Sequence, residues 1–324
     1  MVVEAQTIDE IITQVFHELL ARDFDISTSR SKRHGPTSEV IGNLLVLANP
    51  RARISRSETR GKPFSALGEV LWYFSGTNKL DFIEYYISPY CEDAEPNESG
   101  EMIIHGGYGP RLMSFRETIN QFQSTIDRLK QKPNTRKAVI QLFDAEDLLG
   151  NHKDIPCTCT LQFLVRRNRL HLFTNMRSND AVKGLAHDIF CFTFLQELIA
   201  CELNIELGTY YHSVTSLHMY EEQKDQAKVY LSEGLQGTKI CMPKMPTTSP
   251  VLSMSKLLEV ENEIRKGAAI NYTKLELDDY WLDLIRLLEV FKHKGDKIKL
   301  IRIKNSMSSK IFDDYIQKRI LTAS

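Results

Sequence analysis

The chain lacks an N-terminal run of basic, then apolar, then small residues, and nowhere do the ~20 apolar residues of a membrane span follow one another. An export signal and a span are therefore not expected, and the expected address is the cytoplasm. Net charge is nearly absent too, with 41 basic side chains against 42 acidic ones. No global field gathers nucleic acid or an acidic membrane, although a local arginine cluster would still hold a small anion. Cysteine is sparse, six in 324 residues, at 91, 157, 159, 191, 201 and 241, too few for a disulfide framework. Cys157-Thr158-Cys159 also lacks the two-residue spacer and the second ligand pair of a zinc site, so no metal is expected. Neither an internal repeat nor a low-complexity segment interrupts the chain. Asn97-Glu98-Ser99 matches a glycosylation sequon, which means nothing without export.

What the chain does have is concentrated in residues 155–188, IPCTCTLQFLVRRNRLHLFTNMRSNDAVKGLAHD. Leu161, Phe163 and Val165 alternate with their neighbours, Arg167-Asn168 suits a turn, and Leu170, Leu172, Thr174 and Met176 alternate again, which predicts a hairpin. Cys157 and Cys159 share the parity of the Leu161 face, and Arg177 that of His171 and Phe173. From Asp188 onward the residues are apolar nearly all round, which predicts a buried helix. Elsewhere the spacing predicts an opening amphipathic helix on Ile8, Ile11, Ile12, Val15, Phe16, Leu19 and Leu20, and helices over 64–74, 118–132, 256–265, 280–291 and 311–320. Strands are predicted over 43–47, 138–143 and 206–214, with a basic strand over 297–303. Residues 29–39, 90–100 and 105–111 read as loops. A chain of this length forms one large domain or two, and buries about 75% of its unfolded surface.

Several side chains carry two readings. Cys157 is either a small buried hydrophobe or a nucleophile, and a nucleophile must be a thiolate, which a nearby guanidinium would favour. Glu69 lies among the apolar residues of its helix and is either neutral, paired, or a proton handler. Arg33, Arg136, Lys137 and Arg177 are surface charges or phosphate ligands, and Arg177-Ser178 at a strand end is the pair best suited to a phosphate monoester. Arg30 is an alternative clamp to Arg33. His218 and Tyr220 share a face if extended. Asp188 suits a helix N-cap.

Pro156-Cys157 ahead of Leu161-Gln162-Phe163, then Arg177-Ser178-Asn179-Asp180, Gly184-Leu185 and His218-Met219-Tyr220, resemble the signature run of the thymidylate synthase family, from about residue 30 to 231. The resemblance implies an α+β fold in a single domain over 1–324, with a large mixed or antiparallel sheet, packed helices, a sheet-to-sheet homodimer and a divergent helical region over about 243–324. It implies Cys157 as nucleophile and Arg177 and Ser178 as phosphate ligands. Arg33 would lie over the phosphate, and Arg136, with Lys137, would reach the partner subunit's site. Glu69 would organise water, Tyr108 is an active-site tyrosine, and His218 and Tyr220 bind the sugar hydroxyl. Asn179 joins the substrate set. Asp180, Gly184 and Tyr90 fall on the side of 5,10-methylenetetrahydrofolate, the implied one-carbon donor.

The departures bear on the reaction. The family carries asparagine where this chain has Asp188, histidine for Thr158, arginine for Lys137 and tryptophan near Tyr90, and its Gly-x-Pro-Phe-Asn reads Gly184-Leu185-Ala186-His187-Asp188 here. An amide satisfies uracil's N3 donor and O4 acceptor, whereas an ionised aspartate has no donor for O4. Cytosine presents an amino donor instead, and a protonated N3 gives a carboxylate two hydrogen bonds. The resemblance thus points to hydroxymethylation of CMP or dCMP, Cys157 adding to C6 and water completing the product. Alternatives are reductive methylation of dUMP or dCMP, a non-catalytic nucleotide-binding protein, and a hydrolase pairing Cys157 with His218.

Overall fold

Alternating and helical stretches assemble into a six-stranded mixed sheet with helices packed against it, an α+β fold. The computed structural model of the chain describes residues 1–28, 30–57, 63–234, 237 and 240–323. From the N-terminus, β1 (Val2–Ala5), α1 (Ile8–Leu20), α2 (Ser31–His34) and β2 (Thr37–Leu47) lead to α3 (Pro63–Phe74) and α4 (Leu80–Tyr86). The short strands β3 (Glu95–Pro96) and β4 (Met102–Ile103) pair with each other ahead of α5 (Tyr108–Met113) and α6 (Gln121–Gln131). Next come β5 (Val139–Gln141), β6 (Thr158–Arg166), β7 (Arg169–Asp180), α7 (Leu185–Glu202) and β8 (Glu206–Tyr220). The helices α8 (Lys224–Ser232), α9 (Pro250–Arg265), α10 (Asp279–Lys292), α11 (Lys297–Ser306) and α12 (Asp313–Thr322) follow. The sheet order is β1-β2-β8-β7-β6-β5, with β1/β2 and β7/β8 parallel and the other pairs antiparallel.

Local chemistry accounts for most boundaries. Thr7 and Glu10 cap α1 reciprocally, Thr7 Oγ1 accepting from the Glu10 amide (3.3 Å) and Glu10 Oε2 from the Thr7 amide (2.9 Å). Arg167 and Asn168 both take positive φ, 51° and 57°, the tight turn that matches strand twist, so the predicted hairpin forms where expected. α7 is the buried helix, and as the crossover between the parallel strands β7 and β8 it brings its first turn beside their C-terminal ends.

Other expectations need correction. The parity linking Cys157 and Cys159 to the Leu161 face fails, because a bulge between Thr158 and Thr160 inserts one residue and turns Thr158 onto the buried face with Leu161 and Phe163. Residues 297–303 are helical, not a strand: Asp296 Oδ1 accepts from the Lys299 amide (3.0 Å) and caps α11, whose Leu300 packs into the core. Within 29–39, a turn of helix and the start of β2 replace the solvated loop. Part of 105–111 is α5, and part of 90–100 is a 3-10 turn and β3. β1, α4 and α8 carried no expectation.

One hydrophobic cluster runs from Val3 to Ile320. The C-terminal helices belong to it through Leu257, Trp281, Leu284 and Ile316. A buried ion pair between Arg53 and Glu197 adds a polar tie, Glu197 Oε1 also accepting from the Met245 amide (3.1 Å). Among the described residues no helix is long and apolar enough to cross a membrane.

Candidate active site

Cys157 sits in the loop entering β6, and Arg177 holds that loop. The Arg177 amide donates to the Cys157 carbonyl (2.9 Å), its Nε to Pro156 O (2.9 Å) and its Nη2 to Ile155 O (2.9 Å), and Nη2 lies 3.7 Å from Cys157 Sγ. The guanidinium was expected to raise the thiolate fraction, but burial outweighs it. Desolvation pushes the thiol up to about 11, Arg177 and Arg30 pulling it down and Asp154 and Asp188 pushing it up. The resting sulfur is therefore a thiol.

The other basic residues divide. The side chain of Arg33 lies outside the described residues. Arg30 pairs with Asp93 (3.0 Å) and is within electrostatic reach of Cys157, Asp154 and Tyr220. Arg136 and Lys137 are exposed ahead of β5. Among the described residues no hydrogen bond joins either side chain to the Cys157 loop.

Asp188 is not the helix cap. α7 begins at Leu185, and the Asp188 amide already donates to Gly184 O (3.0 Å) inside the first turn. Its carboxyl faces a buried relay instead. Asp188 Oδ2 accepts from Asn179 Nδ2 (2.8 Å), Asn179 Oδ1 accepts from His212 Nε2 (2.9 Å), and His212 Nδ1 accepts from Tyr210 Oη (2.7 Å). Burial lowers His212 from 6.5 to about 3, so the ring is neutral with its proton on Nε2. For Asp188, burial first, then the Glu69 charge, raises the carboxyl well above the carboxylate range, the Asn179 bond opposing. Burial therefore favours the protonated acid over the ionised group considered from sequence, and with Asn179 on Oδ2 that proton belongs on Oδ1. Gly184 permits this approach: a Cβ there would meet Asn179 Nδ2 at 2.9 Å and Asp188 Oδ2 at 3.3 Å.

Glu69 proves to be the paired alternative. Its Oε1 accepts from Tyr73 Oη and Tyr90 Oη (3.0 Å each) and its Oε2 from His187 Nδ1 (3.1 Å). Burial alone would raise Glu69, but His187, Tyr90 and Tyr73 hold it below the usual value, an anion. Burial raises all three site phenols, Tyr73, Tyr90 and Tyr108, so they stay donors. Tyr108 Oη donates to Thr158 Oγ1 (2.9 Å) and accepts from the Thr158 amide (3.1 Å), fixing the strand behind Cys157, and it lies within electrostatic reach of both Asp188 and Cys157. Electrostatic reach thus links Cys157, Tyr108 and Asp188 to one another, and Asp188 to Glu69.

At its rim, β8 remains extended to Tyr220. His218 Nδ1 lies 3.5 Å from Ser178 Oγ, and the His218 and Tyr220 rings meet edge to face at 5.3 Å. Asp180 is already engaged, Oδ1 accepting from the Val182 (2.8 Å) and Lys183 (2.7 Å) amides and Oδ2 from Gln223 Nε2 (2.8 Å).

Sequence reasoning missed three groups. His187 was visible only as a departure from the family motif, and His212 gave no signal. Asp154, three residues before Cys157, is pushed up to about 6 by burial and Asp93, against Arg30, Arg177 and Arg111. Among the described residues one further cluster has metal-ligand chemistry, Glu95, His105 and His152. His152 Nδ1 meets Glu95 (2.7 Å), His105 Nε2 meets Asp147 (2.9 Å), and the two rings lie parallel, 3.4 Å apart.

The sequence model of the thymidylate synthase family matches residues 25–280. A deoxyuridylate hydroxymethyltransferase of Bacillus phage SP01 is 24% identical over 316 residues, 89% of this chain and 77% of that protein. Another, of Delftia phage PhiW-14, is 29% identical over 60% of this chain and 56% of its own length. A thymidylate synthase of Listeria monocytogenes is 30% identical over 44% of this chain and 45% of that protein.

Proposed function

The chain belongs to the thymidylate synthase family, and from that premise we propose that it transfers a one-carbon unit to C5 of a cytosine nucleotide, CMP or dCMP, with water giving the 5-hydroxymethyl product. The donor would be 5,10-methylenetetrahydrofolate, which supplies the carbon at the oxidation level of formaldehyde. For its binding, Asp180 has three of its roughly four acceptor positions filled, which leaves one for a folate N–H. Gly184 and Tyr90 complete that side.

The observation that carries the reading is the buried Asp188 carboxyl, its Oδ2 held by Asn179 Nδ2 (2.8 Å), within electrostatic reach of Cys157 and raised by burial toward its protonated form. Such an acid donates Oδ1–H to the ring nitrogen N3 and accepts from the 4-amino group. As the proton passes to N3 the ring becomes cationic and C6 accepts the sulfur of Cys157 more readily. Arg177 and Ser178 hold the phosphate with Arg33 and with Arg136 and Lys137 of the partner subunit in a homodimer. His218 and Tyr220 bind the sugar hydroxyl. Asn179 orients Asp188, Glu69 remains an anchored anion that moves protons through water, and Tyr108 keeps the Cys157 loop in place.

A second reading, hydroxymethylation of dUMP, is favoured by the names of the phage relatives and by the same neutral acid, since a carboxylic acid can also accept from uracil N3–H and donate to O4. Cytosine is preferred because its N3 is a basic ring nitrogen and takes the acid's proton far more readily than a uracil carbonyl. Incubation with CMP, dCMP or dUMP and methylenetetrahydrofolate, followed by mass analysis, tests the choice. Gain of one CH2O on CMP or dCMP is expected, and Cys157→Ser should abolish it. Exclusive conversion of a uracil nucleotide, or formation of dTMP, would overturn the cytosine reading.

A further inference from the structure

Ser65 and Glu69 stand one turn apart on α3, and His187, in the first turn of α7, lies between them. Glu69 Oε2 and His187 Nδ1 are 3.1 Å apart, and Ser65 Oγ lies 3.1 Å from His187 Nε2. An anionic carboxylate only accepts, so a ring with one proton carries it on Nδ1 and turns the lone pair of Nε2 toward the Ser65 hydroxyl. Tyr73 and Tyr90 hold the other oxygen of Glu69, so the ring's orientation is braced from behind. The His187 side chain is 19% exposed against 7% for Glu69, so the imidazole is the less enclosed member of the pair. The next residue is Asp188, the acid assigned above to the pyrimidine edge.

We propose that His187 is the general base for the water that completes the reaction, acting directly or through the Ser65 hydroxyl. The proposal rests on the hydroxymethylation reading. The water oxygen bonds the methylene carbon at C5, and the methylene π pair becomes the C5–C6 double bond. The C6–S bond breaks with its pair left on Cys157 sulfur, and the water proton passes to Nε2 and then to the thiolate. No oxidant or reductant is involved. A phenylalanine, the residue of the family motif at this place, has no atom able to take that proton.

The test uses the full chain with methylenetetrahydrofolate and the nucleotide that the wild type hydroxymethylates, labelled with tritium at C5. Tritium release reports the steps before hydration. In His187→Phe and the near-isosteric His187→Gln, hydroxymethyl product should fall about 100-fold or more while tritium release persists. Added 2-mercaptoethanol should then capture the waiting methylene as a thioether, and imidazole should restore part of the turnover of His187→Gly. Product formation within about twofold of wild type in both variants overturns the proposal, because a general base is worth far more. Parallel loss of tritium release also overturns it, since His187 would then act earlier. A wild type that makes only methylated product removes the functional reading first, a result distinct from either.

Discussion

Asp188 differs from the asparagine of the family motif by very little while it is protonated, since both then present one donor and one acceptor. What the acid adds is a proton it can give away. Asp188→Asn should therefore lower kcat on the cytosine nucleotide about 100-fold, the scale of a lost proton transfer, and move the kcat/KM ratio toward dUMP. An unchanged base preference, measured side by side on CMP, dCMP and dUMP, would reduce Asp188 to an ordinary residue of α7. Cys157, Arg177, Glu69 and Asp188 were all legible from short motifs. Their protonation was not, because both shifts come first from burial, and then for Asp188 from the charge of Glu69, a residue remote in the chain.

The β7, α7 and β8 assembly turns those side chains into a site. The strands end beside the first turn of α7, and the Asp188, Asn179 and His212 bonds stitch all three together. This stitch is pH-sensitive. His212 titrates near 3 when folded and near 6.5 when free, so the unfolded chain gains a proton first as pH falls. Stability should be constant above about 6.5 and decline toward 3, by roughly 1 kcal/mol per pH unit. Urea midpoints of wild type measured between pH 7 and 4, compared with those of His212→Gln, check this, and equal slopes in the two proteins would refute it. Periodicity found the hairpin and the core helix because each pattern repeats over many residues. It failed at the bulge, where one inserted residue reverses parity, and over 297–303, where alternating lysines imitate a strand although Asp296 caps a helix.

Across the assembled chain, one face of the sheet receives α1 and α7, and the other carries the row Val139, Gln162, Phe173 and Tyr211. The Phe173 and Tyr211 rings stack there at 4.0 Å and 4°. A partner subunit on this half-exposed apolar face would also give Arg136 and Lys137 a destination. Phe173→Glu should thus yield a folded monomer by light scattering, with turnover reduced about 100-fold if phosphate contacts are lost. A fully active monomer would remove the dimer from the account. The continuous core from Val3 to Ile320 supports reading the chain as one domain, including the region beyond 243 that no motif explained.

Periodicity was sufficient for the hairpin and the buried helix, and the family resemblance carried by a handful of short motifs implied the α+β class and the candidate nucleophile, because both signals are written in residues a few positions apart. Packing alone determined that burial favours the protonated form of Asp188, that Tyr73, Tyr90 and His187 hold Glu69 toward its anion, and that His187 reaches it from 118 positions away. Each depends on exclusion from water and on partners brought together by the fold, and neither quantity exists in a linear chain.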